Sequence, residues 1–189
     1  MNEIQTLRNQ LDTEHRHVRE VVRACAAAHG APRGMTDAAA LAAFSQACAE
    51  YLECLLGWFE ARDQRLAGLY AALPADDPGR RALAALGERG SGAEALKRLA
   101  AGAAPERGTA TDRSAAGRWQ ELAQFVAGAW DGRREAIDAL LASNPRVTYW
   151  RTFSRVDADS IVEERSRYAR VRATLPPGVE LAGAPAQVG

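Results

Sequence analysis

Two arginines stand where a helix would be expected to be apolar. At about 100° per residue, with Leu55 as origin, Leu66 falls near about 20°, Leu69 near about −40° and Arg62 near about −20°. In a second segment, with Val126 as origin, Ile137, Leu140 and Arg133 take up the same three positions. The flanking residues match as well. Phe59-Glu60-Ala61-Arg62 precedes Leu66 and Leu69, and Trp130-Asp131-Gly132-Arg133 precedes Ile137 and Leu140. The pattern reads as a weak internal repeat of a helix-pair unit. A third segment adds Glu14 and His15, which flank its apolar stripe and can reach inward, whereas His17 falls on the opposite side and is expected in solvent.

A guanidinium on a buried face needs a partner, because an unpaired charge withdrawn from water is costly. Three readings follow. Arg62 or Arg133 pairs internally with Glu14, or with Glu163 or Glu164 near the C-terminus. Alternatively, the two arginine forks hold a small anion or carboxylate, with Glu14, His15 and Trp58 or Trp130 around it. In the third, the arginines extend to the surface along their apolar stems. The candidate ligand-binding residues are therefore Arg62, Arg133, His15, Trp58, Trp130 and Glu14. No residue is assigned a catalytic role, since paired carboxylates and Cys/His arrangements for acid–base or nucleophilic work are not found. Cys25, Cys48 and Cys54 lack CxxC or zinc-type spacing and are expected as free, buried thiols in a reducing compartment. The chain has neither a glycine-rich phosphate loop nor a Rossmann pattern.

Helical elements carry these positions. Ile4, Leu7, Leu11, Val18, Val22 and Cys25 recur at three- and four-residue steps and predict a helix from about Ile4 to Ala28, stopped by Gly30 and Pro32. A second helix is expected from an N-cap at Thr36 to Leu73, with Gly57 as a kink point, ending before Pro74. Residues 80–104 give a weaker helical pattern, and 105–114 a linker. A further helix is expected from about Ala115 to Ala142, closed by Asn144-Pro145. Tyr149, Trp150 and Phe153 then form a short helix or aromatic clasp. A last helix starts at Asp157 or Asp159 and runs to Leu175, before Pro176-Pro177-Gly178.

Composition narrows the function. Hydrophobic residues make up 47% of the 189, with alanine foremost among them, which favours helices and leaves a thin core of larger side chains. The 24 basic side chains balance the 24 acidic ones, and all the basic ones but Lys97 are arginine, a bias read as genomic base composition. An even charge balance argues against nucleic acid as a partner. Only the last helix, with Arg165, Arg167, Arg170 and Arg172, leans basic, and Glu163 and Glu164 beside them make it a solvated face. The lack of a long uncharged apolar run argues against a membrane span, and charges throughout the first thirty residues argue against a signal peptide.

The run Leu11-Asp12-Thr13-Glu14-His15-Arg16-His17-Val18-Arg19 resembles the first helix of the hemerythrin-like (HHE cation-binding) bundles, in which a Glu-His pair precedes an apolar run. The resemblance covers roughly residues 4–142. It places His15 on the family's first metal ligand. The family's second and fourth helices carry His-x-x-x-Glu or His-x-x-x-His pairs; the matching positions here are Trp58 with Arg62, and Ala129 with Arg133. A di-iron centre takes about six His and carboxylate side chains, and a permanently protonated arginine does not ligate iron. The resemblance thus implies the bundle without its usual metal site, and not oxygen binding.

The resulting expectation is an all-α protein. An antiparallel four-helix bundle over residues 1–145 carries a helical extension at 146–176 and a mobile tail at 177–189. Its expected role is non-catalytic binding or interaction, with a small anionic ligand or a protein partner, no resident cofactor, no nucleic acid, no membrane and a cytoplasmic location. The alternative is a metalloprotein holding iron or manganese around His15, with Glu14, Glu60, Asp63 and Glu163 or Glu164 as further ligands. Oligomeric state is open.

Overall fold

The computed structural model describes residues 3–31, 37–84, 112–143 and 158–181. Among them the secondary structure is entirely helical. Four long helices are α1 (Glu3–Gly30), α2 (Ala38–Ala71), α3 (Asp112–Ser143) and α4 (Ala158–Ala173). A short helical stretch at 78–84 follows α2. The expected third helix at 80–104 is described only to residue 84, and the aromatic segment Tyr149, Trp150 and Phe153 lies outside the described residues.

Local chemistry sets the helix ends. Asp37, rather than Thr36, is the N-cap of α2: its carboxylate accepts from the Ala40 amide at 3.2 Å. Asp37 lies next to the first helical residue, so its short acidic side chain reaches the free amides and meets the positive end of the helix dipole. Gly57 does not end α2, which continues as one helix through it. α3 starts at Asp112, inside the stretch expected to be linker.

The helix directions follow from the contacts. Glu14 meets Arg62, His15 meets Phe59 and His29 meets Ser45, so α1 and α2 are antiparallel. Arg8 meets Asp138 and Asp12 meets Arg134, so α1 and α3 are antiparallel as well. α4 lies across both α1 and α2, through His17, Glu20, Glu50 and Tyr51.

The apolar interior forms two clusters. The larger joins Val18, Val22 and Cys25 of α1 to Phe44, Tyr51, Leu55 and Phe59 of α2, and to Trp119, Leu122 and Val126 of α3. The smaller gathers Leu66 and Tyr70 with Ile137, Leu140 and Leu141. Arg62 sits between the two along α2. The charge that interrupts the apolar stripe in the sequence therefore divides the core.

The chain after α4 turns back on the bundle over its first residues. Pro176-Pro177-Gly178-Val179 forms a turn closed by the Val179 amide on the Pro176 carbonyl at 3.2 Å, with Gly178 at φ 78°. Proline at the second position and glycine at the third suit a type II turn, whose third residue needs a positive φ. The turn sends Val179 and Leu181 back onto the larger cluster, where Leu181 is only 6% exposed. Residues 182–189 lie outside the described residues.

Candidate functional site

Arg62 takes the first of its three expected arrangements. Its side chain, on the core face of α2, is only 7% exposed, and its guanidinium donates to both Glu14 oxygens, Nη1 to Oε2 at 2.5 Å and Nη2 to Oε1 at 2.9 Å. This fork-on-carboxylate geometry is the strong form of the ion pair. It occupies both oxygens of Glu14 and the terminal nitrogens of Arg62. Phe59, one helical turn earlier, carries its ring 5.9 Å beneath the guanidinium carbon. The side chains of Arg133 and Trp130 lie outside the described ones, so the matched position on α3 is known only as backbone.

His15 is buried, 4% exposed, and edge-on to the Phe59 ring at 5.7 Å. It borders a cleft of about 450 Å³ between α1 and α3, with Arg8, Asp12, Arg134 and Asp138. The charges there neutralise one another, Arg8 on Asp138 at 3.3 Å and Arg134 on Asp12 at 3.1 Å. Among the described residues, no group of three or more His, Cys, Asp and Glu side chains is placed to hold a metal ion.

Glu14 and Trp58 face a different cleft, of about 630 Å³, between α1, α2 and α4. The sequence-derived residues are thus divided: Glu14 and Trp58 line one cleft, His15 borders another, and Arg62 lines neither. His17, expected in solvent, is instead half-buried here. Its ring stacks on Tyr168 at 4.5 Å, and its Nδ1 lies 3.6 Å from Glu164. A wheel of α1 alone could not show that α4 covers the side that carries His17.

Glu164 organises this end of the cleft. It accepts the Tyr51 hydroxyl at 3.0 Å and faces His17. Burial pushes its carboxyl up, but the hydrogen bonds from His17 and Tyr51 and the charges of His17 and Arg165 outweigh that and hold it below the ordinary carboxylate value. Burial, and then Glu164 beside it, push the Tyr51 hydroxyl far up. Burial and Glu20, to which the Tyr168 hydroxyl donates at 3.4 Å, push Tyr168 up to about 12. Both phenols therefore stay protonated donors. On the open side stand Arg165 and Arg172, both exposed.

A second polar cluster, which pattern reading missed, sits deeper at the α1–α2 contact. His29 Nε2 lies 2.7 Å from Ser45 Oγ, and Ser45 Oγ lies 3.8 Å from Cys25 Sγ. Cys48, three residues after Ser45 on α2, is buried in the same apolar cluster as Cys25. All three cysteines are free; Cys25 and Cys48 are buried as expected, but Cys54 is half-exposed. The signal was available in the spacing, since Cys25 and His29 are four apart and Ser45 and Cys48 three apart, each pair on one helix face.

These observations define an all-helical protein with an ion-paired core layer and an aromatic cleft beneath its last helix; no described helix is long and apolar enough to cross a membrane. No family model, curated protein or solved structure matches the chain.

Proposed function

We propose that the protein is a non-catalytic binding protein whose cleft between α1, α2 and α4 takes a small anionic ligand with a planar apolar body. The observation that carries this reading is the lining: Trp58, His17 and Tyr168 supply ring surfaces, and the exposed Arg165 and Arg172 stand at the cleft. Rings give contact area and guanidinium groups give charge complementarity, the usual division of labour in a ligand pocket. Arg62 is proposed to be structural, because Glu14 already occupies its fork.

The scaffold is read as an antiparallel four-helix bundle akin to the hemerythrin-like proteins but without their di-iron site. The antiparallel pairing of α1 with both α2 and α3, and the Glu14-His15 pair on α1, support this. Three free cysteines favour a reducing, cytoplasmic setting.

Thermal unfolding in the presence of inorganic phosphate, simple carboxylates and aromatic carboxylates tests the cleft. Aromatic carboxylates should raise the midpoint in a concentration-dependent way, and Arg165→Gln with Arg172→Gln should abolish the rise. Equal response to every anion, or an unchanged response in the double variant, would refute the reading. Metal analysis of protein purified without chelators is the complementary experiment. Stoichiometric iron or manganese that disappears in His15→Ala would replace the proposal with a metalloprotein.

A further inference from the structure

Taking the cleft between α1, α2 and α4 as the anion site, on which this step rests, we infer that Glu164 selects the ligand: an aromatic acid carrying an N–H donor on the side opposite its acid group. Glu164, Tyr168 and Arg172 all line the cleft, and they follow one another at four-residue steps on α4. Residues four apart lie one above another on a helix face, so an acceptor, a ring and a cation succeed each other over about 12 Å. That order is the complement of a donor, a ring and an acid.

Two members of this stripe are fixed before any ligand arrives. The buried Tyr51 hydroxyl donates to Glu164 Oε1 at 3.0 Å, and His17 Nδ1 lies 3.6 Å from the same oxygen. A carboxylate has about four acceptor positions, so Oε2 keeps the capacity to accept from a ligand. Tyr168 is held at its ring face by the stacked His17, at 4.5 Å, and at its hydroxyl by Glu20, at 3.4 Å. Trp58 bounds the cleft from α2. Groups already in place lose little freedom on binding, so their preference is expressed in the affinity. Arg172 is exposed, on a long stem that lets its guanidinium follow the acid of the ligand.

Selection works by rejection as much as by attraction. Glu164 stays ionised at neutral pH, its carboxyl being held below the ordinary carboxylate value. An ionised carboxylate only accepts. It repels the acid of a ligand and leaves a bare acceptor, such as a carbonyl, unpaired against it, so neither is tolerated at this end. Glu14, held by Arg62, lines the same cleft and adds a second carboxylate. The acid therefore turns toward Arg172 and Arg165, and the opposite end of the ring must donate. An amine, an amide N–H or a ring N–H meets that requirement, and the acid keeps the ligand anionic.

Isothermal titration calorimetry on the full chain at neutral pH, with 4-aminobenzoate against 4-methylbenzoate, tests the inference. The two probes share ring, acid and substituent size, and only the first donates a hydrogen bond. The parent should bind 4-aminobenzoate about tenfold more tightly, the worth of one hydrogen bond to a charged acceptor. Glu164→Gln should cut that preference several-fold, whereas Arg172→Gln should weaken both probes alike and leave their ratio unchanged. Equal affinities in the parent would overturn the inference while the cleft remained a site for aromatic anions. Binding of neither probe would refute that reading along with it. A ratio that survives Glu164→Gln would remove Glu164 as the acceptor. The comparison in the parent involves no substitution, so it decides the matter even where loss of Glu164 loosens α4.

Discussion

Arg62 on α2 and Glu14 on α1 are joined at both prongs, at 2.5 and 2.9 Å, with side chains only 7% and 12% exposed. The pair lies between two apolar clusters and fixes how α1 and α2 register against each other. A buried ion pair adds little net stability over apolar residues of similar volume, because desolvation offsets most of the attraction. Breaking it from one side is different, since the remaining charge stays in the core.

That asymmetry gives the first expectation. Arg62→Met and Glu14→Leu should each lower unfolding free energy by about 3 kcal/mol, and the double variant should lose much less than the sum of the two. Urea denaturation of the four proteins measures it. Additive losses would mean that the pair is not the unit that matters.

Glu164 makes the attachment of α4 sensitive to acid. Its folded carboxyl is held below the ordinary value, so the stability it contributes is complete above the unfolded value of about 4.3 and is lost as pH falls through the lower folded value. Thermal midpoints across that acid range should fall less steeply in Glu164→Gln than in the parent. Parallel curves would remove Glu164 as the source.

Ser45→Ala removes the hydroxyl beside Cys25 and should move that thiol's titration upward from about 7. The thiolate fraction rises with pH through the titration point, so at neutral pH the variant should hold less thiolate than the parent. The ultraviolet absorbance of the thiolate, followed against pH in a Cys54→Ser background, reads the shift directly. A midpoint that does not move would assign the lowering to His29 and Cys48 alone.

Gly79 lies under the Tyr70 ring. A Cβ there would come within 2.5 Å of the ring and 2.9 Å of Asp77 Oδ1, the oxygen that accepts the Gly79 amide at 2.7 Å. Tyr70 is buried, and its hydroxyl donates to the Leu140 carbonyl at 3.3 Å, so the ring cannot step aside freely. Gly79→Ala should therefore cost about 1–3 kcal/mol by overpacking. Chemical denaturation tests it, and a neutral effect would show that the 78–84 stretch can shift away.

The helices were legible because their signals are local. Apolar residues at three- and four-residue steps gave α1, α2 and α3 to within a few residues, and the wheel put Arg62 on a buried face. The N-cap went one residue astray because Thr36 and Asp37 are both good caps, and only the Ala40 amide chooses between them. The pattern of α1 alone places His17 in solvent, because a wheel knows one helix at a time. Its partners Glu164 and Tyr168 come from a segment that returns from far along the chain.

By itself the sequence determined the all-helical class, the even charge, the interrupted apolar stripes and the need of Arg62 for a counter-ion. Periodicity, composition and the cost of burying charge all operate within a single helix. Only the tertiary structure decided that the counter-ion is Glu14, that α4 covers His17, and that Cys25, His29, Ser45 and Cys48 meet at one contact. Which side chains meet across helices depends on the direction, register and rotation of one helix against another. Those are set jointly by the packing of the whole core, and no single segment carries them.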